Sequence, residues 1–427
     1  MPFLDRPITN FVDSDDVDLG KKLVTKDYLL SVYETILESS GATGLVVTPE
    51  LWGWGRGNEG QLGNNLEYQQ RVTPVTTFSG GTNWKQVSVG NQYTAAIKTD
   101  GTLWTFGQGS SPFPTTPPTQ TGNLGVNDGN RRKTPVTTFA GGTDWKQVST
   151  GGHHTAAIKT DGSLWIWGAN DGGQLGINDG NVPRLTPVTT FAGGTDWKSV
   201  SAGDRHTAAI KTDGSLWTWG RVTGNNSGGR STPVTTFAGG NTWKQVACGN
   251  GHTAAIKTDG TLWVWGNQFE GELGINVGGA GNQGRGTPVT TFSGGTNWKQ
   301  VSAGNQYTAA IKTDGSLWTW GRNGSGELGT NNTISRSTPV TTFAGGTNWK
   351  QVSCGAFHTA AIKTDGSLWT WGNNSFLGQL GIKDAPDQYS PAEPRSTPVT
   401  TFAGGNNWKQ VDVGSEHTIA IQSNDYI

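Results

Sequence analysis

The chain has 427 residues, a formal net charge of −1 and a pI of about 6.6. This balance argues against nucleic-acid binding, which normally needs a basic stripe to neutralise phosphates. We expect neither membrane insertion nor a signal peptide, because no apolar run of about 18 residues occurs and the N-terminus lacks a basic segment followed by an apolar one.

The N-terminal segment, residues 1–43, lies outside the repeats that follow and is expected to form an anchoring arm. Residues 26–38 predict an amphipathic helix, with Thr25 as a cap at its start and Gly41 at its end. Its apolar face has the i, i+3, i+4, i+7, i+8 spacing and comprises Leu29, Val32, Tyr33, Ile36 and Leu37. A helix this short needs a partner surface, which would be the rest of the chain, a second copy or a larger assembly.

Residues 44–427 consist of a repeat of about 50 residues that carries three marks. The motifs L-W-x-[WF]-G, TPVTTF and W-K-[QS]-V each occur seven times and together account for all 20 tryptophans. The W-K-[QS]-V copies begin at Trp84, Trp145, Trp197, Trp243, Trp298, Trp349 and Trp408. A period of this length fits the blade of a β-propeller better than a helical solenoid unit.

Each repeat predicts four short strands, formed by TPVTTF, WKQVSAG, HTAAIKT and LWTWG. The proline of TPVTTF suits the first residue of a strand, and T-D-G between the last two strands predicts a hairpin turn. Burying three tryptophans contributes on the order of 15 kcal/mol, whereas ordering about 50 residues costs on the order of 75 kcal/mol. The sheets must therefore stack on one another, and a closed ring leaves no exposed end.

The two ends of the repeat region predict how the ring closes. The region begins with LWGWG and TPVTTF but lacks the two preceding strands, whereas its C-terminus has WKQV and HTIAIQ without a following LWTWG. We therefore expect a final blade shared by both termini. Two segments compete for one strand of it, Gly44–Val47 and His417–Gln422, and the sequence does not distinguish them.

The order of motifs in each repeat resembles a known family. The series W-G-x-N-x-x-G-Q-L-G, then Pro, then V-x-x-V-x-x-G-x-x-H-T-x-A and D-G-x-L-W-x-W-G is similar to the RCC1 repeat, as in WGANDGGQLG at 167–176. The resemblance covers about residues 44–422 and implies an all-β, seven-bladed RCC1-like β-propeller. Two repeats depart from it: RVTGNNSGGR after Gly220 lacks QLG, and a Pro-rich insertion follows Gly107 before NLG.

The RCC1 family includes a nucleotide exchange factor for a small GTPase, a UV-B photoreceptor and a secreted inhibitor of β-lactamase, so the fold does not determine the function. One hypothesis that the resemblance implies is a cytoplasmic regulator that binds a protein partner, as an exchange factor does. The photoreceptor's G-W-R-H-T motif is replaced here by sequences without tryptophan, such as GGHHT and GDRHT. We therefore interpret the tryptophans as packing residues.

The arm adds a second resemblance, because DLGKKLVTKDYLLSVYETI is similar to N-terminal segments of structural proteins of marine bacteriophages, including cyanophages. The near-identity of the seven repeats is similar to RCC1-like proteins of such phages. This resemblance implies a virion protein, such as a tail fibre or spike, that is made in the host cytoplasm. Its arm would bind other virion proteins or further copies of the chain, and its propeller would bind a host surface protein or glycan.

No catalytic constellation is apparent, and we expect neither an enzyme nor a cofactor. Five repeats place a histidine at one position that is tyrosine in the other two; the seven residues are Tyr93, His154, His206, His252, Tyr307, His358 and His417. Hydrogen bonds to a neighbouring strand explain this ring better than a metal site, since tyrosine is a poor substitute for a metal ligand. Cys248 and Cys354 lie at equivalent places in two repeats and are expected to be buried thiols.

The insertions are the most informative candidates for a binding site. They all fall between the W-G and TPVTTF motifs, so we expect them on one face of the disc. The longest span Gln108–Lys133, Asn267–Gly286 and Asn373–Ser396. Aromatic and arginine residues dominate binding hot spots, and the candidates of these types are Phe113, Arg131, Arg132, Phe269, Phe376 and Tyr389.

Overall fold

The computed structural model describes residues 49–66, 70–78, 83–110, 121–222, 229–236, 238–277, 284–374, 377–382 and 393–423. All of them belong to a compact unit that spans Thr48–Ile427, and a separate unit spans Met1–Val47. The predicted helix at 26–38, with its five apolar residues, and Gly44–Val47 lie outside the described residues.

All the regular secondary structure of the described residues is β-strand. The first two are β1 (Glu50–Gly55) and β2 (Arg71–Thr76). Blade 1 consists of β3 (Trp84–Val89), β4 (Tyr93–Lys98), β5 (Leu103–Gly107) and β6 (Arg132–Thr137). Blade 2 consists of β7 (Trp145–Thr150), β8 (His154–Lys159), β9 (Leu164–Gly168) and β10 (Arg184–Thr189). Blade 3 consists of β11 (Trp197–Ala202), β12 (His206–Lys211), β13 (Leu216–Gly220) and β14 (Arg230–Thr235).

The remaining strands repeat this order. Blade 4 consists of β15 (Trp243–Cys248), β16 (His252–Lys257), β17 (Leu262–Gly266) and β18 (Arg285–Thr290). Blade 5 consists of β19 (Trp298–Ala303), β20 (Tyr307–Lys312), β21 (Leu317–Gly321) and β22 (Arg336–Thr341). Blade 6 consists of β23 (Trp349–Cys354), β24 (His358–Lys363), β25 (Leu368–Gly372) and β26 (Arg395–Thr400), and the last strands are β27 (Trp408–Val413) and β28 (His417–Gln422).

The strands form seven four-stranded antiparallel sheets, and the seventh contains both ends of the repeat region. Its order is β2-β1-β28-β27, and β1 pairs with β28 over its whole length, from Glu50 opposite Gln422 to Gly55 opposite His417. We call this sheet blade 7. The prediction of a shared closing blade is confirmed, and His417–Gln422 is the segment that pairs with β1.

The W-K-[QS]-V strands are the inner strands, which lie next to one another around the axis, and the T-P-V-T strands are the outer ones. Because neighbouring strands are antiparallel, the inner-to-second turns and the third-to-outer loops leave the same end of every blade. We call this end the loop face. The T-D-G turns lie at the opposite end, which we call the turn face.

The expected place of the prolines in the outer strands is wrong. Pro74 is the fourth residue of β2 and not its first, and the equivalent prolines occupy the same position in the other outer strands. The pairing of β2 with β1 is irregular at this point, since Val75 opposes Gly53 but the next pair joins Arg71 to Gly55. A residue without an N–H is tolerated there because an outermost strand has one unpaired edge and the inner pairing is already broken.

Tryptophan packing holds each blade to the one before it. The inner-strand Trp145 is buried. Within blade 2 it makes edge-to-face contacts with Trp165 and Trp167 of β9, at centroid distances of 6.3 and 6.4 Å. It also packs in one cluster with Ile97 and Leu103 of blade 1. The same arrangement recurs around the ring, so the predicted role of tryptophan in packing is confirmed for the described residues.

Glutamine side chains join neighbouring inner strands. Gln86 Nε2 donates to Val148 O at 3.0 Å, and Val148 N donates to Gln86 Oε1 at 3.1 Å. We call this two-bond contact a glutamine clasp. Five further clasps are Gln147–Val200, Gln245–Val301, Gln300–Val352, Gln351–Val411 and Gln410–Val87. The last one links blade 7 to blade 1 and closes the ring.

The Q-L-G segments connect adjacent blades on the loop side. Gln174 O, in the loop after β9, accepts hydrogen bonds from Thr207 Oγ1 and Trp219 Nε1 of blade 3, both at 2.8 Å. The loop after β13, which lacks QLG, offers no such acceptor among the residues described. The buried Trp265 Nε1 of blade 4 accordingly has no hydrogen-bond partner in the described part. Ser199 replaces the clasp glutamine at the same junction, so within the described residues blades 3 and 4 lack both the clasp and the Q-L-G contact.

Candidate functional site

The ring of histidines and tyrosines is a structural network. His206 Nε2 lies 2.9 Å from Thr253 Oγ1, and His154, His252, His358 and His417 face the equivalent threonine of the following blade at 2.8–3.2 Å. Thr207 Oγ1 donates its only proton to Gln174 O, so it must accept a proton from His154 Nε2. The expected hydrogen bonds to a neighbouring strand are confirmed.

Tyrosine makes the same connection in blades 1 and 5 with different atoms. Tyr93 OH donates to His154 O, and Tyr307 OH donates to His358 O, both at 2.6 Å. Each hydroxyl also accepts a hydrogen bond from the equivalent threonine of the next blade, Thr155 or Thr359, at 3.1 Å, so tyrosine reaches both the threonine and the main chain. Either residue type satisfies the position, which explains why the repeats exchange them.

Burial keeps the five histidines neutral. Desolvation lowers the pKa of His154, His206, His358 and His417 to about 3 and that of His252 to about 4. Within the described ranges, no group of three or more His, Cys, Asp or Glu residues could hold a metal ion. The ring joins blades and presents no reactive group to solvent.

The loop face has a polar cavity on the axis of the disc, with a volume of about 400 Å³. The ends of all seven inner strands and the turns that follow them line it, including Asn91, Asp204, Asn250, Asn305, Phe357 and Ser415. Backbone bonds between these turns hold the rim, as in Asp204 N to Gly249 O at 3.2 Å and Asn250 N to Gly304 O at 3.2 Å. The turn residues differ from blade to blade although the strands barely do.

Two aspartates give the cavity an acidic character. Asp412 stands where most other repeats have serine; it accepts hydrogen bonds from Val89 N at 2.7 Å and from the hydroxyl of Ser353. Desolvation raises its pKa to about 6. Burial also raises the pKa of Asp204, against the lowering effect of the neighbouring Arg205.

Charged residues around the cavity link neighbouring blades. Arg205 of blade 3 lies 3.0 Å from Asp171 Oδ2, in the third-to-outer loop of blade 2, and Arg221 lies 3.6 Å from the same oxygen. Arg322 stacks on Phe357 with 4.8 Å between its guanidinium carbon and the ring centroid. The sequence did not single out these residues, because short differences in the inner-to-second turns are far less conspicuous than the long insertions.

Phe269 is the aromatic residue among the predicted hot spots that lies within the described residues. It lies in the third-to-outer loop of blade 4, and its side chain is 54% exposed. The buried carboxylate of Glu272 accepts hydrogen bonds from Phe269 N at 3.1 Å and Glu270 N at 2.8 Å, which fixes the turn that presents the ring. The ring is therefore accessible to a partner, and its role as a binding hot spot stays a prediction.

Arg131 and Arg132 lie in blade 1, on the same face but three blades from Phe269. Arg132 pairs with Asp128 at 2.7 Å, and an Arg131 nitrogen lies 3.8 Å from Glu59 Oε2 in the loop after β1. Phe113, Phe376 and Tyr389 lie outside the described residues. The structure therefore places two separate candidate patches, one at Arg131 and one at Phe269, and does not bring them together.

The two cysteines are buried and free, as expected. Desolvation raises the pKa of the Cys248 and Cys354 thiols to about 12, so neither is a reactive thiolate. No helix in the described part of the chain is long and apolar enough to cross a membrane.

These features define a seven-bladed β-propeller with an axial polar cavity and variable loops on one face. The sequence matches the family model of the RCC1-like domain over residues 118–427, and residues 50–97 match that of the regulator of chromosome condensation (RCC1) repeat. The chain belongs to the RCC1-like family, because the first match alone covers more than half of it.

Similar proteins come from different functional contexts. The ultraviolet-B receptor UVR8 of Arabidopsis thaliana is 31% identical over 86% of this chain and 69% of its own length. The human E3 ubiquitin-protein ligase HERC2 is 27% identical over 90% of this chain but only 8% of its own. The crystal structure of Prp20p from Saccharomyces cerevisiae has a TM-score of 0.73 at 17% identity, covering 88% of this chain and 92% of that one, which shows a shared fold.

Proposed function

We propose that the chain is a non-enzymatic regulator that binds a protein partner through the loop face of the propeller. The observation that carries this proposal is the contrast between the two parts of each repeat. The strands and tryptophan pairs are nearly identical from blade to blade and six of the seven junctions have a clasp, whereas the turns and loops of one face differ in length and in Arg, Asp, Asn and Phe content. Sequence differences confined to one face are typical of a binding surface on a rigid scaffold.

The chemistry of the loop face supports a protein partner. Phe269 offers an exposed aromatic anchor, and Arg205 and Arg221 add charge in the neighbouring blade. Aromatic and arginine side chains are the residue types that dominate binding energy at protein interfaces. Prp20p, which shares the fold, has binding properties to Gsp1p and histones, and this is consistent with partner binding as a use of such a propeller.

A loop-face variant and a control variant, which lies next to an outer strand, test this proposal. Phe269→Ala with Arg205→Ala removes two loop-face anchors, and Phe343→Ala is the matched control because Phe343 is 65% exposed beyond the outer strand β22. The immobilised full-length chain and both variants are exposed to extract of the source cells, and retained proteins are quantified. We expect a partner that the wild type and the control retain and that the loop-face variant loses at least tenfold, as expected when about 1.4 kcal/mol or more of binding energy is removed.

Equal retention of every protein by all three chains would contradict the proposal. Nucleotide-release assays with small GTPases of the source cell test the exchange-factor form of the regulator. Acceleration of release that the loop-face variant loses supports this form, and the absence of acceleration for all of them argues against it.

A second candidate function is a virion component, in which residues 1–43 anchor the chain to the particle and the propeller mediates adhesion or assembly. The resemblance of the arm to phage structural proteins favours it. Mass spectrometry of purified virions tests this proposal, since a structural component must be present in stoichiometric amounts. Deleting residues 1–40 should abolish incorporation while the propeller still folds, and absence of the chain from particles would contradict the virion proposal.

A further inference from the structure

Seven lysines, one in each inner strand, lie at the same kind of β-bulge. In β3, Trp84 pairs with Lys98 and Gln86 pairs with Ile97, so Lys85 between them has no partner in the ladder. The same shift recurs in every inner strand, and the seven residues are Lys85, Lys146, Lys198, Lys244, Lys299, Lys350 and Lys409. A β-bulge redirects the side chain of the unpaired residue, and bulges are common beside functional sites.

These lysines form a ring around the axis at the turn face, which we call the basic ring. Each follows the first residue of an inner strand; in blades 1–6 that residue pairs with the last residue before the T-D-G turn, as Trp84 does with Lys98, and in blade 7 Trp408 pairs with Gln422. All seven are exposed. Each lysine directly precedes the residue at the clasp position, and the clasp of Gln86 to Val148 shows that successive inner strands are one side chain apart.

Six lysines of the basic ring, all except Lys409, have no acidic partner in the described part of the chain. The ion pairs of the turn face instead involve the second-strand lysines, as in Lys159 with Asp144 and Lys211 with Asp196, at 3.2 Å. Those lysines also stack on tryptophan: Lys159 Nζ lies 4.9 Å from the ring centroid of Trp145. The second-strand lysines of the turn face therefore pack on tryptophan, whereas the lysines of the basic ring face solvent.

Six carboxylates, which we call the aspartate fence, lie around the basic ring at a larger distance from the axis. The T-D-G turns place six exposed aspartates between the second and third strands, farther from the axis; they are Asp100, Asp161, Asp213, Asp259, Asp314 and Asp365. In each, hydrogen bonds from the serine or threonine two residues on lower the pKa, so all six are ionised at neutral pH. Attraction at the centre and repulsion around it favour a compact anion over one that extends across the face.

We propose that the basic ring is a second docking surface, which binds the acidic segment of a protein partner on the axis of the turn face. A short run of Asp and Glu residues fits a closed circle of ammonium groups. A nucleic-acid duplex fits it poorly, because its phosphates continue in both directions and would lie over the aspartate fence. The surface lies opposite the loop face, so it goes beyond the proposed function and does not depend on it.

Peptide binding to the full-length chain tests the basic ring. The probe is a fluorescent oligoglutamate peptide, and its affinity is measured by anisotropy at low and at physiological salt. The ring variant is Lys244→Gln with Lys299→Gln and Lys350→Gln, and Lys→Arg at the same positions should restore binding. The matched control replaces three second-to-third turn residues on the same face, Thr212, Thr258 and Thr313, with Gln, which leaves the charge unchanged.

We expect the ring variant to bind oligoglutamate about tenfold more weakly at low salt, with a smaller dependence on salt, and the control to bind as the wild type does. Circular dichroism and thermal melting verify that all variants are folded. Two results would overturn the proposal: oligoglutamate that binds no better than oligoglutamine, or binding that the ring variant retains. Tighter binding of duplex DNA than of oligoglutamate, lost in the ring variant, would replace the acidic peptide with a nucleic acid.

Discussion

Acidification should unfold this propeller through its buried histidines. The unfolded chain binds a proton at each histidine below a pKa of about 6.5, whereas the folded chain does so only near pH 3 for His154, His206, His358 and His417 and near pH 4 for His252. Between those values the unfolded state binds more protons, so stability falls as the pH falls.

The size of the effect follows from the pKa differences. Lowering the pH from 7 to 5 costs about 2 kcal/mol for each such histidine, and therefore about 10 kcal/mol for five. Native domains are stable by only about 5–15 kcal/mol, so the chain should lose most of its stability in this range. Urea unfolding followed by tryptophan fluorescence at pH 7, 6 and 5 measures this loss.

A His206→Tyr variant isolates one histidine without disrupting the contact. Tyr307 already occupies the equivalent position of blade 5 and faces Thr359, and His206 faces the equivalent Thr253. The variant should be folded at pH 7, and its loss of unfolding free energy from pH 7 to pH 5 should be about 2 kcal/mol smaller than that of the wild type. Equal stability of the wild type at pH 7 and pH 5, or an unchanged pH dependence in the variant, would refute this reasoning.

Two further predictions concern the contacts between blades. Gln300→Ala removes the clasp and leaves the backbone N–H and C=O of Val352 without these side-chain partners, so urea unfolding should show a loss of about 1–3 kcal/mol of unfolding free energy. Ser199→Ala should cost less than about 0.5 kcal/mol, because no clasp exists there. Ser199→Gln should gain at most about 1 kcal/mol, and a cost for Ser199→Ala equal to that of Gln300→Ala would contradict the clasp. Burial raises the pKa of Asp412 to about 6, so this carboxyl group makes the fold more stable as the pH falls from 7 to 5, by about 1 kcal/mol, and Asp412→Asn should abolish that gain. An identical pH dependence in Asp412→Asn would show that this residue is not the source.

Most of the fold could be predicted from the sequence because each strand type carries its own repeated motif. The tryptophan spacing, the T-D-G turns and the missing halves at the two ends led to seven blades and a shared closing blade. The choice between Gly44–Val47 and His417–Gln422 could not be made, since both are short apolar segments and only the pairing of β28 with β1 distinguishes them. The position of Pro74 was wrong because motif boundaries do not reveal where a strand begins.

The candidate site was harder to predict, because its parts come from different blades. Phe269 was found as an aromatic residue in an insertion, but the pairing of Arg205 with Asp171 depends on contact between a turn of blade 3 and a loop of blade 2. The basic ring was overlooked for the opposite reason. Lys85 and its equivalents are identical in all repeats and resemble ordinary surface lysines until the β-bulge and the closed circle are known.

Closure of the ring by both termini is the claim on which the loop face, the turn face and the basic ring all depend. Glu50 and Gln422 are direct partners in the pairing of β1 with β28, and antiparallel partners have Cα atoms about 4.5–5.5 Å apart, within the range of disulfides. Glu50→Cys with Gln422→Cys should therefore form an intramolecular disulfide almost completely under mild oxidation, whereas either single variant should not. The buried native cysteines should not interfere. A folded double variant that stays reduced, or that links only between chains, would contradict the closed ring.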